Sequence, residues 1–465
     1  MTVKQWWCER AWVGSETIDP ASDGNGHGNA ADSESGPDDS SPPRVLLTTD
    51  RGRITDVQTD VDCPPEAIRL PGLTLPALAN VHSHAFQRGM RGRTQSGRGS
   101  FWTWRDSMYD LANGLDPESY YHLAKAVYSE MALAGIGVVG EFHYVHHQPG
   151  GALYDNQNAM SEALVSAATE VGIRITMLDT LYLHGGLDRS GYFPLRSEQE
   201  RFSDRTAAAW LKRRDRWNMP EHRLVRLGAA AHSIRAVDPD SITQLQEWAV
   251  QHEAPLHIHV SEQPAENKAC LKFHRSSPVE ILHQRGLLAP NVTIIHATHL
   301  SDSDIKVLGE AGTICCFCPT TERDLADGIG PSTKLLEAGA EICFGSDSHA
   351  VIDLFEEARA LELNERLSSL RRGNHRVSDL LVMATSIGYR SLGWPDGGRL
   401  EVGALADFIT VDLESVRTAG TPPGPEIVFS AAPADVTSAV VGGETIVSPD
   451  SKPKIDWAAA LNAEN

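Results

Sequence analysis

The chain has 465 residues, a 41% hydrophobic fraction and a formal charge of -21. That length holds one large catalytic domain and a smaller one, and the apolar content supplies a sizeable core. The acidic balance excludes a nucleic-acid surface, no apolar run is long enough to span a bilayer, and MTVKQWWCERAWVG has no basic segment followed by an apolar one, so a cytoplasmic protein is expected.

Residues 1–71 are assigned to the first part of a small β-domain. Short strand-like runs, WWCERAWV and RVLLTTDRGRITDVQ, flank a segment from Glu16 to Pro43 that is rich in Asp, Ser, Gly and Pro. So few apolar residues cannot offset the entropy of ordering, and a flexible acidic loop is expected there.

From 72 to 395 short β-rich runs alternate with helical ones. The candidate strands are 73–82, 136–143, 173–181, 223–232, 254–260, 291–297, 312–318 and 340–347. Tyr120, Leu123, Ala124, Val127 and Met131 share one helical face, and Asp238-Pro239 opens another helix. Eight strands separated by helices over this span predict a (β/α)8 barrel of the TIM type, which needs roughly 250 residues. An open doubly wound sheet explains less well why polar residues fall at so many strand ends. Residues 396–465 read as further short strands that complete a β-sandwich with the N-terminal ones.

Seven cysteines in a chain this long are not a disulfide framework. Cys315, Cys316 and Cys318 lie in TICCFCPT, where they serve as small apolar residues of a buried strand, since no second pair completes a tetrahedral metal set.

Four strand ends carry the chemistry. His82 and His84 lie two apart at the end of the first strand, so their imidazoles point the same way. His257 and His259 share a face in LHIHVSEQ, with Glu262 three residues beyond. His296 ends the sixth strand, with His299 after it, and Asp347 follows Gly345 at the end of the eighth. Each alone is weak. Together they converge on the C-terminal rim, where such barrels place catalysis, and buried imidazoles and carboxylates there are costly without an ion.

HSH, HVSE, a sixth-strand His and GSD resemble the amidohydrolase superfamily in its mononuclear deaminase branch. No barrel lysine stands where carbamylation would bridge two metals, which points to one ion. The longer strings NVHSHAFQRGMRG, SFWTWRDSMY, GEFHYVHH, AAHSIRAV, HIHVSEQPAE, IIHATHL, CPTTERDLADGI and GSDSH resemble the N-formimino-L-glutamate deiminases (formimidoylglutamate deiminases) of histidine degradation.

The resemblance implies a divalent ion, Zn2+ before Fe2+ or Mn2+, held by His82, His84, His259 and Asp347. It implies that Asp347 also takes a proton from the attacking water, that His296 orients that water, and that Glu262 passes protons to the departing nitrogen. Arg105 and Arg235 match carboxylate-binding arginines, Tyr144 adds a hydroxyl, and Gln87 and His232 face the formimino end. The implied partner is a small di-acid substrate, with no nucleic acid or membrane, in a homodimer. Two readings stand beside this one: an aminohydrolase of a guanine- or pterin-like ring, and a non-catalytic scaffold of the same fold.

Overall fold

The computed structural model describes residues 3–13, 41–95, 101–217, 222–450 and 455–461. Most of the acidic segment, 16–40, lies outside the described residues.

Eight parallel strands form the barrel: Leu78–Ser83, Ile136–His143, Arg174–Leu181, Val225–Ser233, Leu256–Val260, Val292–His296, Ile314–Phe317 and Glu341–Phe344. They pair in chain order. The first and last meet through a single parallel bridge, Ser83 to Asp347, so the barrel nearly closes at its C-terminal end. Strands two and three are buried at every position. Helices cover one face and the barrel interior the other, so even their charged residues, Glu141 and Arg174 among them, are buried.

Several helices start where the sequence supplies a cap. In Pro117–Leu133, Asp116 accepts the Ser119 N–H in a capping box and Pro occupies the first turn. Its buried face includes Tyr120, Leu123, Ala124, Val127 and Met131, the stripe expected from spacing. Asp238 likewise caps Pro239–Gln251 through the Ser241 N–H. No helix among the described residues is long and apolar enough to cross a membrane.

Strands from both chain ends build the small domain. Lys4–Ala11, Pro43–Asp50, Arg53–Gln58 and Ile68–Pro76 join Phe408–Val411, Val436–Val441 and Glu444–Val447 in one seven-stranded mixed sheet. The expected sandwich therefore takes the form of a continuous hydrogen-bonded sheet, with a core of its own around Trp6, Val45, Leu47, Ile54 and Phe408. The run 73–82, read as one strand, is two. Leu73–Pro76 pairs with Phe408–Val411 in the small sheet, and the barrel begins at Leu78.

A buried ion pair joins the two parts. Arg174 of the third barrel strand donates to both carboxylate oxygens of Asp407, at 2.6 and 2.9 Å, and the Tyr389 hydroxyl donates to the same carboxylate at 3.1 Å. Such a pair does little for net stability when complete but is costly to break from one side.

Candidate active site

The barrel brings His82, His84, His259 and Asp347 together, all buried, with one donor atom of each within 4.8 Å of the others. His82 Nε2 lies 3.0 Å from His259 Nε2. Asp347 Oδ1 lies 3.3 Å from His82 Nε2 and 3.4 Å from His84 Nε2. Two nitrogens on one tetrahedral zinc ion stand roughly 3.3 Å apart, from a metal–nitrogen distance of about 2.0 Å.

The tautomers suit a metal. His84 Nδ1 meets the Phe142 carbonyl at 2.9 Å, and His259 Nδ1 meets the His232 carbonyl at 2.7 Å. A carbonyl only accepts, so both Nδ1 atoms carry the proton and both Nε2 lone pairs face the cluster. Burial holds His82, His84 and His259 below the ordinary histidine pKa, and nearby imidazoles push the same way. Three neutral imidazoles and a carboxylate aimed at one point are a donor set for a divalent ion, and zinc fits it.

Backbone geometry at the rim is unusual. His296 and Asp347 adopt left-handed φ angles of 73° and 45°. Side-chain-bearing residues rarely do so, and such outliers concentrate at functional sites.

His296 sits beside the cluster rather than in it. Its Nε2 lies 3.9 Å from Glu262 Oε1 and 3.9 Å from Asp347 Oδ2, and its Nδ1 lies 3.3 Å from Glu322 Oε1. Burial disfavours its charged form, but the hydrogen bond with Glu322 and the charges of Glu262 and Asp347 outweigh this and push its pKa up to about 10. Glu322 is itself held by the Cys318 N–H at 2.9 Å.

A cavity of about 480 Å³ opens over this rim. His84, His259, Asp347, Glu262 and His296 line it, and so do Gln87, Arg105, Tyr144, His232 and Arg235. His82 lies beneath it. The Tyr144 hydroxyl accepts from Gln87 Nε2 at 3.1 Å. Arg235 Nη2 donates to Glu262 Oε2 at 3.0 Å, with Glu266 close behind at 3.9 Å. Burial lifts the Glu266 carboxyl to about 7 even though Arg235 works against it.

Two histidines singled out from the strings stand apart. His257 shares a strand face with His259 but lies deeper in the barrel, with Nε2 at 3.1 Å from the Ser391 carbonyl. His299 is bound to the Asp327 carbonyl at 2.8 Å. The cysteines of TICCFCPT are buried and unbridged, as expected of apolar fillers. Cys318 does approach His296 and Asp347, and burial raises its thiol pKa.

The sequence reading missed the network that sets the first ligand pair. Ser83 Oγ donates to Glu141 Oε2 at 2.7 Å and meets His349 Nε2 at 3.1 Å, while Ser346 Oγ meets His349 Nδ1 at 2.9 Å. Asn80 joins it through Ser346 Oγ at 2.7 Å. These buried groups link strands one, two and eight directly beside His82, His84 and Asp347. Ser83 does show in the sequence as the middle residue of HSH, but nothing there reveals its partners.

The sequence profile of the Amidohydrolase family matches residues 73–446. A formimidoylglutamate deiminase of Pseudomonas aeruginosa is 34% identical over 373 residues, covering 78% of this chain and 81% of its own length. The crystal structure of an amidohydrolase from Brucella melitensis superposes with a TM-score of 0.82 at 30% identity, covering 99% of this chain and 98% of that one. An adenosine deaminase from Xanthomonas campestris, solved with bound zinc, shares the fold with a TM-score of 0.77 at 19% identity, over 99% of this chain and 96% of that one.

Proposed function

Within the Amidohydrolase family, to which this chain belongs, we propose that it hydrolyses N-formimino-L-glutamate to N-formyl-L-glutamate and ammonia. One observation carries the choice of substrate: Arg105 and Arg235 line the cavity whose floor is the His/His/His/Asp cluster. A single cavity thus joins a hydrolytic centre to two guanidiniums, the groups best shaped to read carboxylates. The 34% identical relative bears the name of that activity.

His82, His84, His259 and Asp347 would hold a divalent ion, which would supply Lewis acidity and a hydrolytic nucleophile at neutral pH. The chain's own groups do the rest. Asp347 Oδ2, on the His296 side, takes a proton from the attacking water. The His296 imidazole donates from Nε2 to orient that water. Water adds to the amidine carbon, and the proton taken by Asp347 is passed through the Glu262 carboxylate to the terminal nitrogen. The hydroxyl proton of the adduct follows the same route, so that the C–N bond breaks, the C=O forms and ammonia departs with Glu262 and Asp347 restored as carboxylates. Arg235 holds Glu262 in reach of the reacting centre and brings its positive charge to the cavity that would take a substrate carboxylate. Gln87, Tyr144 and His232 wall the formimino end.

An aminohydrolase of a ring substrate is the second reading, favoured by the aromatic side chains of Trp104, Tyr109, Tyr182 and Phe202 along the cavity. Substitution separates the two. Arg105→Met and Arg235→Met should each cut kcat/KM for N-formimino-L-glutamate by roughly 10²-fold, the value of a charge-assisted bidentate bond, with metal content unchanged. A formimino compound lacking one carboxylate should be a poor substrate for the parent and nearly indifferent to one of the two changes. If both variants match the parent on the di-acid, the ring reading replaces this one.

A further inference from the structure

One wall of the cavity carries a polar group that neither the metal cluster nor the two arginines account for. Tyr109, on the helix Phe101–Asn113, and Tyr182, just after the third barrel strand, both line the cavity and are almost fully buried. Behind them lies Gln199, fully buried on the short helix Ser197–Phe202. Gln199 Nε2 donates to the Tyr182 hydroxyl at 2.8 Å and to the Tyr109 hydroxyl at 3.0 Å, with a longer approach to the Gly185 carbonyl at 3.4 Å. Its Oε1 accepts the Arg196 backbone N–H at 3.0 Å. A backbone N–H needs an acceptor, so the amide is fixed with its nitrogen toward the phenols.

Counting protons shows what the arrangement offers. The two amide protons go to the two phenol oxygens, over the shorter distances. Among the described residues no hydrogen bond takes up either phenol proton, so at least one is left to donate to a ligand. Its surroundings are cationic: Arg105 and Arg235 both act on the Tyr182 hydroxyl, and Arg105 Cζ lies 5.6 Å from the Tyr109 ring centre.

We infer that Tyr109 and Tyr182, oriented by Gln199, form a further anion-recognition element that donates a phenolic hydrogen bond to a substrate carboxylate held by Arg105 or Arg235. The inference rests on the di-acid reading and extends it. Tyr109 and Tyr182 are ligand-binding residues, and Gln199 is a positioning residue that acts through them. Because the amide donates to both oxygens, the phenols are biased to donate outward. That bias suits a carboxylate, which only accepts, and disfavours a ring amino group, which needs an acceptor.

The test uses metal-loaded full-length protein, with turnover of N-formimino-L-glutamate and calorimetric binding of N-formyl-L-glutamate as the two readouts. At least one of Tyr109→Phe and Tyr182→Phe should raise both KM and the product Kd by roughly tenfold, the effect of one hydrogen bond to a charged group, while kcat stays within about twofold. Gln199→Leu should move KM and Kd the same way. Gln199→Glu, the same shape, would accept the phenol protons and should weaken binding at least as much. Unchanged KM and Kd in both tyrosine variants would overturn the inference and leave the di-acid reading intact, provided the parent turns over the substrate. A Gln199→Leu protein with lowered Tm but parental KM and Kd would reduce Gln199 to a structural amide and overturn its positioning role. A parent that neither binds nor turns over these di-acids would remove the underlying reading, and the inference with it.

Discussion

Asp347 is joined to His82 through both backbone and side chain. Its backbone N–H donates to the His82 carbonyl at 2.9 Å, and its carboxylate Oδ1 lies 3.3 Å from His82 Nε2. The His84 N–H returns a bond to the Asp347 carbonyl at 3.1 Å. The closure of the barrel and the assembly of the metal ligands are therefore one structural event. Ligands placed on the strand ends of a nearly closed barrel need little reorganisation when an ion binds, which is what preorganisation requires.

Gly345 makes this closure possible. A Cβ built there would stand 2.8 Å from both the backbone N and the Cβ of His82. Gly345→Ala should push strands one and eight apart. The expected cost is about 1–3 kcal/mol, typical of overpacking, with weakened metal retention. Thermal unfolding and metal analysis check it, and a variant with parental Tm and full metal content would refute it.

His259 turns its Nε2 lone pair to the cluster, fixed by its Nδ1 bond to the His232 carbonyl. His259→Ala should lower bound metal and abolish ammonia release together. Full metal occupancy with normal turnover in that variant is the contrary result.

Glu262 lies between His296 and Arg235 at the cavity wall. Glu262→Gln keeps its shape and its bond to Arg235 but cannot cycle a proton. Folding and metal content should be near parental, with kcat reduced by roughly 10²-fold or more. Parental turnover would place the proton donor elsewhere.

His257 gives a pH test away from the cavity. Burial pushes its pKa down to about 4, although its bond with the Ser391 carbonyl works in the other direction. An unfolded histidine titrates near 6.5. Between these values the unfolded chain binds a proton that the folded chain refuses. The neutral His257 is therefore harmless above pH 6.5, and its contribution falls away as the pH drops toward 4. The full effect is roughly 3 kcal/mol. Metal-free His257→Gln should lose less stability than the metal-free parent over this interval, as read by denaturant unfolding at successive pH values. Parallel curves would contradict it.

Much of this was legible in the sequence because two periodicities announce themselves. HSH and HIH show ligand spacing along a strand, and Tyr120 through Met131 show a buried helical face. The same logic failed where contacts are between distant segments. Nothing in the strings separates His257 from His259, which share a face; depth in the barrel alone decides which of them reaches the rim. The break of 73–82 into two strands was invisible for a similar reason, since Leu73–Pro76 and Leu78–Ser83 are both fully buried and differ in partner. Tyr109, Tyr182 and Gln199 come from three separate elements, and Glu141, Ser346 and His349 meet Ser83 only when the barrel closes. Non-local pairing of this kind leaves no local pattern to read.

Metal-dependent deimination of a di-acid is the reaction proposed for this cavity. Its most direct measurement is ammonia release from N-formimino-L-glutamate by purified protein, before chelation, after chelation and after zinc is restored. One ammonia and one N-formyl-L-glutamate per substrate consumed are expected, with loss of turnover on chelation and recovery with zinc. No ammonia from the metal-loaded protein, or turnover indifferent to chelation with the metal verifiably removed, would contradict it.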